Sequence, residues 1–176
     1  MTGERSQVTW VARDATDDDA EGIALLHLDC SSVAYADILP AGHLARMDVG
    51  AQAARWRRRI QDRRRQVAVA EVPGAGDGQA TDRIVGVVSW GLSHDAPERG
   101  LSPLELASLY VAPERWGSGL GAALLELALG GSSAHLWVYE GNERAQSFYR
   151  KHGFGPDGAR KVDERTGVWE CRLVRR

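Results

Sequence analysis

The feature that most constrains this chain is a glycine-rich turn between an apolar run and an Ala/Leu-rich helical segment. Residues 106–126 read LASLYVAPERWGSGLGAALLE, with glycines at positions 117, 119 and 121. A strand that leads through such a turn into a helix presents backbone amides and the positive end of the helix dipole to an anion. Glycines also let the backbone approach a phosphate without a Cβ clash. The sequence therefore predicts a site for a phosphate-bearing cofactor.

Two other kinds of cofactor-binding loop are also rich in glycine. A P-loop needs a lysine and a hydroxyl residue after its last glycine, whereas two alanines follow the third glycine here. The dinucleotide fingerprint GxGxx[GA] is met by Gly117, Gly119 and Ala122, and Glu140 lies near the offset expected of a ribose-binding acid. That fold puts its first glycine at the strand end and needs further strand–helix units downstream. Because this chain offers neither, a nicotinamide-binding protein is a distant alternative.

The glycine-rich stretch resembles the acetyl-CoA signature of the GNAT superfamily of N-acetyltransferases, V-x-P-x-x-[RQ]-G-x-G-[ILV]-[GA]. The matching residues are Val111, Pro113, Gly117, Gly119, Leu120 and Gly121. The signature fails at Trp116, where Arg or Gln is usual. A second segment resembles the family motif N-x-x-A-x-x-[FL]-Y-x-x-x-G-F. Its matching residues are Asn142, Ala145, Phe148, Tyr149, Gly153 and Phe154.

Hydrophobic periodicity predicts a mixed α/β fold with the element order β-α-α-β-β-β-α-β-α-β. Strands are expected at residues 7–13, 66–72, 83–90, 104–111, 135–140 and near 168–174. Helices are expected after a capping box of Asp18 and Glu21, over 41–65 with a break near Gly50, over 120–129 and over 142–152. Residues 73–82 are expected to be a mobile connector.

The GNAT resemblance implies a more specific architecture within one acetyltransferase domain, residues 1–176. It implies a central, mostly antiparallel sheet of six to seven strands with helices on both faces. The sheet would be splayed between the strands at about 104–111 and 135–140, and the pantetheine arm would enter there.

The resemblance also implies a cofactor site for acetyl-CoA, residue by residue. The backbone of Leu109, Tyr110 and Val111 would pair with the pantetheine arm like an added strand. Asn142 would cap its helix and contact the same arm. The pyrophosphate would lie on the loop amides, with Arg115 helping where Trp116 departs from the family pattern. The loop residues are Gly117, Ser118, Gly119, Leu120, Gly121 and Ala122.

Acetyl transfer to an amine needs a base for the amine, donors for the oxyanion and an acid for the departing thiolate. Glu105 is the candidate base, either from a buried setting or through an ordered water. The resemblance implies that Tyr149 is the acid. Each has a structural alternative, an exposed carboxylate at a strand start and a core aromatic. Tyr35, Trp90 and Tyr139 are candidates for the acceptor pocket.

Net charge and residue composition limit the kinds of partner that this chain is expected to bind. The formal net charge of −2 argues against nucleic-acid and membrane partners. The arginine-rich residues 55–65 are interpreted as a solvated helix end, with Trp56 and Ile60 facing inward. Histidines and cysteines lack metal-ligand spacing, so no metal is expected. A polar N-terminus and two distant cysteines, Cys30 and Cys171, favour a cytoplasmic protein with free thiols.

The sequence therefore predicts an acyltransferase that moves the acetyl group of acetyl-CoA to a primary amine of a small molecule, through a ternary complex. Two alternatives stay open. One is an N-acetyltransferase acting on peptides or proteins, and the other is a non-catalytic acyl-CoA-binding regulatory module. A homodimer is compatible with each of them.

Overall fold

The computed structural model describes residues 10–73, 83–94 and 98–176, so most of the predicted connector lies outside the described residues. The strands are β1 (Val11–Asp14), β2 (Arg65–Val72), β3 (Arg83–Leu92), β4 (Leu104–Val111), β5 (Ala134–Tyr139), β6 (Gly155–Val162) and β7 (Trp169–Arg175). The helices are α1 (Ala20–Ala34), α2 (Val49–Gln61), α3 (Leu120–Leu129) and α4 (Glu143–Lys151). Short 3₁₀ turns occur at Asp17–Asp19, Leu44–Arg46 and Pro113–Arg115.

The seven strands form one sheet in the order β1-β2-β3-β4-β5-β7-β6. Neighbouring strands are antiparallel, except that β4 and β5 run parallel. These two strands share a single registered pair, Glu105 with His135, and they separate beyond it. The expected mixed α/β fold, with a mostly antiparallel sheet that splays between these strands, is confirmed.

Helices cover both faces of the sheet. On one face, the Tyr110 ring of β4 stacks on His27 of α1, with the ring centroids 4.4 Å apart. Side chains alternate along a strand, so the neighbouring Val111 points to the other face. There Gly86 of β3 faces α3, and a Cβ placed on it would lie 2.8 Å from Cδ1 of Leu124. The sheet therefore has α1 on one face and α3 tightly packed on the other.

A β-bulge shapes β4 near its start. The pairing with β3 passes from Ser89–Ser108 to Trp90–Leu106, which leaves Ala107 without a partner on β3. An extra residue of this kind bends the strand and increases its twist. The bend lies two residues beyond Glu105, next to the point where β4 leaves β5.

A glycine in β3 allows an ion pair to form across three strands. Arg65, Gly91 and Glu105 lie side by side on β2, β3 and β4. Because the middle residue has no side chain, Nη2 of Arg65 reaches across it and donates to Oε2 of Glu105 at 2.8 Å. Gly91 has a φ of 151°, and a Cβ there would lie 2.2 Å from the carbonyl oxygen of Arg64. Only glycine fits this position without a backbone shift.

The first helical segment starts differently from the prediction. Asp19, rather than Glu21, faces back toward the chain entering the helix, and its Oδ2 accepts a hydrogen bond from the backbone N of Thr16 at 2.7 Å. The same carboxylate pairs with Arg13 at 2.8 Å. The capping box of Asp18 and Glu21 is therefore wrong, because a second partner on β1 selects Asp19.

Two further local predictions need correction. The helical region predicted over 41–65 is broken before Asp48, whose Oδ1 caps α2 by accepting from the backbone N of Ala51 at 2.8 Å. Gly50 lies inside α2 and does not interrupt it. Strand β6 was not predicted, because its Gly, Pro and Asp residues are typical of turns. It is an edge strand that pairs with β7 through an irregular register.

Replacing Gly91 with alanine should destabilise the fold by about 2–4 kcal/mol, because its Cβ would collide with the backbone of β2. The matched control is Gly155→Ala, since a Cβ on Gly155 would meet no atom within 4 Å. Urea unfolding followed by circular dichroism measures both variants. Equal midpoints for the two variants would contradict the constraint assigned to Gly91.

Candidate active site

A cavity of about 560 Å³ lies where β4 and β5 separate. Its walls come from α1, residues 35–59, β4, β5, the start of α4 and residues 163–170. The residues predicted for the site that line it are Tyr35, Leu109, Tyr110, Val111, Trp116, Tyr139, Asn142 and Tyr149. A volume of this size is typical of sites for small molecules.

The edge of β4 that faces the cavity is free to bind a ligand. Past Glu105, β4 has no registered partner on β5, so the backbone groups on the β5 side of the strand are left outside the sheet ladder. Strand edges of this kind pair with extended ligands through main-chain hydrogen bonds. One of these groups is already used, because the carbonyl oxygen of Val111 accepts from Nε1 of Trp116 at 2.7 Å and from Sγ of Cys30 at 3.2 Å.

The glycine loop follows at the end of β4. Gly117 and Gly119 have φ values of 77° and 89°, and a Cβ on either would meet no atom within 4 Å. Gly119 is also the residue from which α3 begins. The loop backbone is therefore open to a ligand, in the left-handed conformation that favours glycine. This open loop at a helix N-terminus fits a phosphate group.

Trp116 is paired with an arginine that the sequence analysis did not identify. The guanidinium carbon of Arg144, in the first turn of α4, lies 3.3 Å from the Trp116 ring centroid. Both residues line the cavity, and Arg144 has no ion-pair partner among the described residues. Arg115, which was predicted to help, is not among the lining residues, and its Nε is buried without a partner. Within the cavity lining, the positive charge stacked on Trp116 therefore comes from α4.

Asn142, the N-cap of α4, and Tyr149, within α4, both line the cavity. Oδ1 of Asn142 accepts from the backbone N of Ala145 at 3.1 Å, so the helix-capping half of its prediction is confirmed. The Tyr149 ring is buried against Phe148 and Phe154, with centroids 5.2 and 5.8 Å apart. Burial raises the pKa of the Tyr149 phenol above its ordinary value, which keeps its proton in place at neutral pH.

Glu105 lies at the closed end of the splay and is not among the lining residues. Its carboxylate is held by Arg65, and the exposed fractions of the two side chains are 14% and 9%. The Glu105 side chain shares a sheet face with Ser108 and Tyr110, since the bulge at Ala107 shifts the alternation by one residue.

The predicted acceptor residues fall into two groups. Tyr35 and Tyr139 meet edge to face across the cavity, with ring centroids 5.2 Å apart. The hydroxyl of Tyr139 donates to Oδ2 of Asp163 at 2.7 Å, which fixes the ring. Trp90 instead pairs with Leu106 and is buried in the core, so the structure does not bring it to this cavity.

Arg59 and Glu170 are among the charged cavity residues that the sequence analysis did not identify. Arg59 of α2 donates from Nη1 to Oγ of Ser108 at 2.7 Å. Helical spacing could have identified it, because Trp56 and Arg59 lie three residues apart on the inward face of α2. Glu170 of β7 also lines the cavity, where burial raises the pKa of its carboxyl group. No sequence signal marks Glu170, because the pairing of β7 with β5 places it there.

His27 is packed, as interpreted from the sequence. Nε1 of Trp56 donates to Nδ1 of His27 at 3.3 Å, and the Tyr110 ring stacks on the imidazole. Burial, aided by the positive charge of Arg59, lowers the pKa of His27 to about 4. The ring is therefore neutral at physiological pH.

Within residues 10–73, 83–94 and 98–176, no three His, Cys, Asp or Glu side chains are grouped closely enough to hold a metal ion. In the same ranges no helix combines the length and apolar character needed to cross a bilayer.

Comparisons with known proteins identify related sequences. A family model described as an acetyltransferase (GNAT) domain matches residues 63–156. An uncharacterized N-acetyltransferase of Mycobacterium bovis is 30% identical over 149 residues, which covers 81% of this chain and 86% of that protein.

Two solved structures share the fold. One is the PaiA N-acetyltransferase of Thermoplasma acidophilum in complex with coenzyme A, with a TM-score of 0.64, 17% identity and coverage of 93% of this chain and 98% of that one. The other is a spermidine N-acetyltransferase SpeG chimera from Vibrio cholerae and hSSAT, with a TM-score of 0.61, 17% identity and coverage of 94% of both chains.

The burial of His27 should make stability depend on pH. An unfolded histidine binds its proton near pH 6.5, whereas the folded chain resists protonation until about pH 4. This contribution to stability is complete above pH 6.5 and is lost as the pH falls toward 4, by up to about 1.4 kcal/mol per pH unit. His27→Gln should lose this part of the slope.

Urea unfolding at several pH values between 7 and 4 measures this slope. The control is His94→Gln, because the His94 side chain is 53% exposed. A His27→Gln slope equal to that of the unmodified protein would overturn the assignment.

Proposed function

Because the chain belongs to the GNAT family of N-acetyltransferases, we propose that it moves the acetyl group of acetyl-CoA directly to a primary amine of a small molecule. The observation that carries this proposal is one cavity that begins at Trp116, next to the open glycine loop, follows the free edge of β4 and ends among Tyr35, Arg59 and Tyr139. The acceptor end is walled by residues 35–59 and 163–166, which favours a small molecule over a folded protein.

The cofactor would be held by three parts of the chain. The β4 edge at Leu109–Val111 would pair with the amides of the pantetheine arm. Amides of the loop from Gly117 to Ala122 would bind the pyrophosphate at the start of α3. Arg144, stacked on Trp116, would supply the positive charge that the family usually takes from the loop itself. Asn142, which lines the same cavity, would contact the pantetheine arm.

Three groups of this chain would carry the chemistry of acetyl transfer. Acetyl-CoA supplies the activated acetyl group. Tyr149, which keeps its proton, would donate it to the departing thiolate. Glu105 would accept the amine proton through a water, since its carboxylate lies outside the cavity lining. Backbone N–H groups at the bulge around Ala107 would stabilise the oxyanion.

Two alternatives remain distinct from this proposal. A peptide or protein acceptor would need the walls formed by residues 35–59 and 163–166 to open. A non-catalytic acyl-CoA-binding module would keep the β4 edge and the glycine loop but would not need a proton donor such as Tyr149. We also propose that the described elements act as one acetyltransferase domain, and that its free thiols, Cys30 and Cys171, suit the cytoplasm.

The direct experiment is thiol release from acetyl-CoA in the presence of amino acids, polyamines, aminoglycosides or short peptides. Release that depends on one class of small amine supports the proposal, and release with peptides alone supports the first alternative. Tight coenzyme A binding without release from any amine supports the binding module.

Tyr149→Phe should lower kcat about a hundredfold, because the departing thiolate loses its proton donor. The affinity for acetyl-CoA should stay within about twofold, since the ring packing against Phe148 and Phe154 is kept. Steady-state kinetics with the best amine and calorimetric titration of coenzyme A separate the two effects. An unchanged kcat would remove Tyr149 from the mechanism.

Arg144→Ala should raise the KM for acetyl-CoA about tenfold or more, because a charged contact to phosphate is lost. The matched control is Arg150→Ala, since Arg150 is also exposed on α4 but its guanidinium contacts Ser147. The kcat at saturating acetyl-CoA should change little in either variant. Equal KM values for the two variants would show that the cofactor does not use Arg144.

A further inference from the structure

Arg59 lies at the acceptor end of the cavity with most of its hydrogen-bonding capacity unused. Its Nη1 donates to Oγ of Ser108, and its guanidinium carbon lies 4.7 Å from the Trp56 ring centroid. No carboxylate forms an ion pair with it in the part of the chain that the structure describes, and its Nε and Nη2 have no hydrogen-bond partner there. Arg59 is therefore a cavity-lining cation without a counterion.

Two other arginines with little-exposed side chains have acidic partners. Arg65 pairs with Glu105 on the same sheet face, and Arg172 pairs with both Glu98 and Asp157. A guanidinium stays protonated in proteins, so partial burial does not remove its charge. Burying a charge without a partner is costly. The unpaired guanidinium of Arg59 therefore points to a partner that is not part of the described chain.

Burial lowers the pKa of Arg59, and the charges of Arg65 and Arg165 act in the same direction. Tyr110 and Glu105 act in the opposite direction, but the Glu105 carboxylate is already paired with Arg65. The charged residues that lower the pKa of the neighbouring His27 are Arg55, Arg59 and Arg165, so this part of the wall is rich in positive charge. A neutral or cationic ligand would gain nothing from this field, whereas an anionic group would be attracted.

The position of Arg59 separates it from the phosphate site. Its partner Ser108 lies three residues before Val111, which at about 3.3 Å per residue is about 10 Å along β4. The glycine loop begins beyond Val111, on the far side from Ser108. Ser108 also adjoins the bulge at Ala107. An anion at Arg59 would therefore belong to the acceptor rather than to the pyrophosphate.

We propose that Arg59 binds an anionic group of the acceptor, so that the substrates are primary amines that also carry a carboxylate. This inference rests on the proposed acetyl transfer to a small amine and narrows its substrate class. A carboxylate matches the planar fork of a guanidinium and can accept from Nε and Nη2 together. Polyamines, which carry only positive charge, are excluded from the preferred substrates.

The test compares amino acids and ω-amino carboxylates with their own amides, with diamines of equal length and with the matching aminophosphonates. Thiol release gives kcat/KM, and calorimetric titration of the coenzyme A-bound protein gives affinity whether or not turnover occurs. We expect the carboxylates to exceed their amides at least tenfold in both readouts. A larger value for the phosphonates would identify a phosphate-type group as the natural anion.

Arg59→Gln should abolish this preference by weakening only the carboxylate members, mainly through KM or Kd. Arg59→Lys should restore part of it, because a point charge replaces the fork. Arg58→Gln, an exposed neighbour on α2, should keep the full preference. Unchanged coenzyme A affinity in Arg59→Gln shows that the variant is folded.

The outcomes distinguish the proposed anion site at Arg59 from the proposed acetyl transfer. Turnover of amides or diamines at rates equal to the carboxylates overturns the anion site and leaves acetyl transfer intact. Binding of carboxylates that requires Arg59, without turnover, supports the anion site and removes the proposed catalysis. Neither binding nor turnover with any amine overturns both.

Discussion

The single registered pair between β4 and β5 is the constraint on which the rest of the structure depends. At Glu105 and His135 the two parallel strands touch, and beyond that point they part. A closed ladder would satisfy the β4 backbone and leave no cavity. Because the strands separate, the inner edge of β4 has no strand partner there, and it faces the cavity lined by α1, α2 and α4. The glycine loop that follows β4 opens at the end of this same edge.

The sheet can hold this gap open because each side is fixed by other contacts. On one side β4 is anchored to β3 by antiparallel pairs and to β2 by the Arg65–Glu105 ion pair across Gly91. On the other side β5 is anchored to β7 over its whole length. The gap therefore results from two well-paired half-sheets that meet at one registered pair, where hydrogen bonds of Ser102 with Ser133 and His135 also link them.

Local sequence signals predicted the elements that carry strong patterns. The apolar run of β4, the glycines of the loop and the N-cap at Asn142 each act within a few residues, so sequence alone locates them. β6 was missed because an edge strand rich in glycine and proline has no apolar alternation to detect. Arg144 and Glu170 were missed for another reason. Each reaches the site through the packing of elements that are distant in sequence, and no local spacing encodes those distances. Arg59 was also missed, although its spacing from Trp56 places it on the inward face of α2.

Trp116 shows how one departure from a family pattern is absorbed. The indole cannot carry charge, and it donates to the carbonyl oxygen of Val111 while its face receives the Arg144 guanidinium. Where the family pattern has Arg or Gln in the loop, this chain has the flat ring of Trp116, on which an arginine from α4 stacks. Arg115, which was predicted to help, is not among the residues that line the cavity.

The carbonyl oxygen of Val111 accepts from both Trp116 and Cys30, so one atom joins the loop, β4 and α1. Burial raises the pKa of the Cys30 thiol to about 12, and the thiol therefore keeps the proton that it donates. Helix α1 carries His27 and leads into Tyr35 on the opposite wall. The shared acceptor therefore ties the segment that leads into the glycine loop to the helix that forms the opposite wall of the cavity.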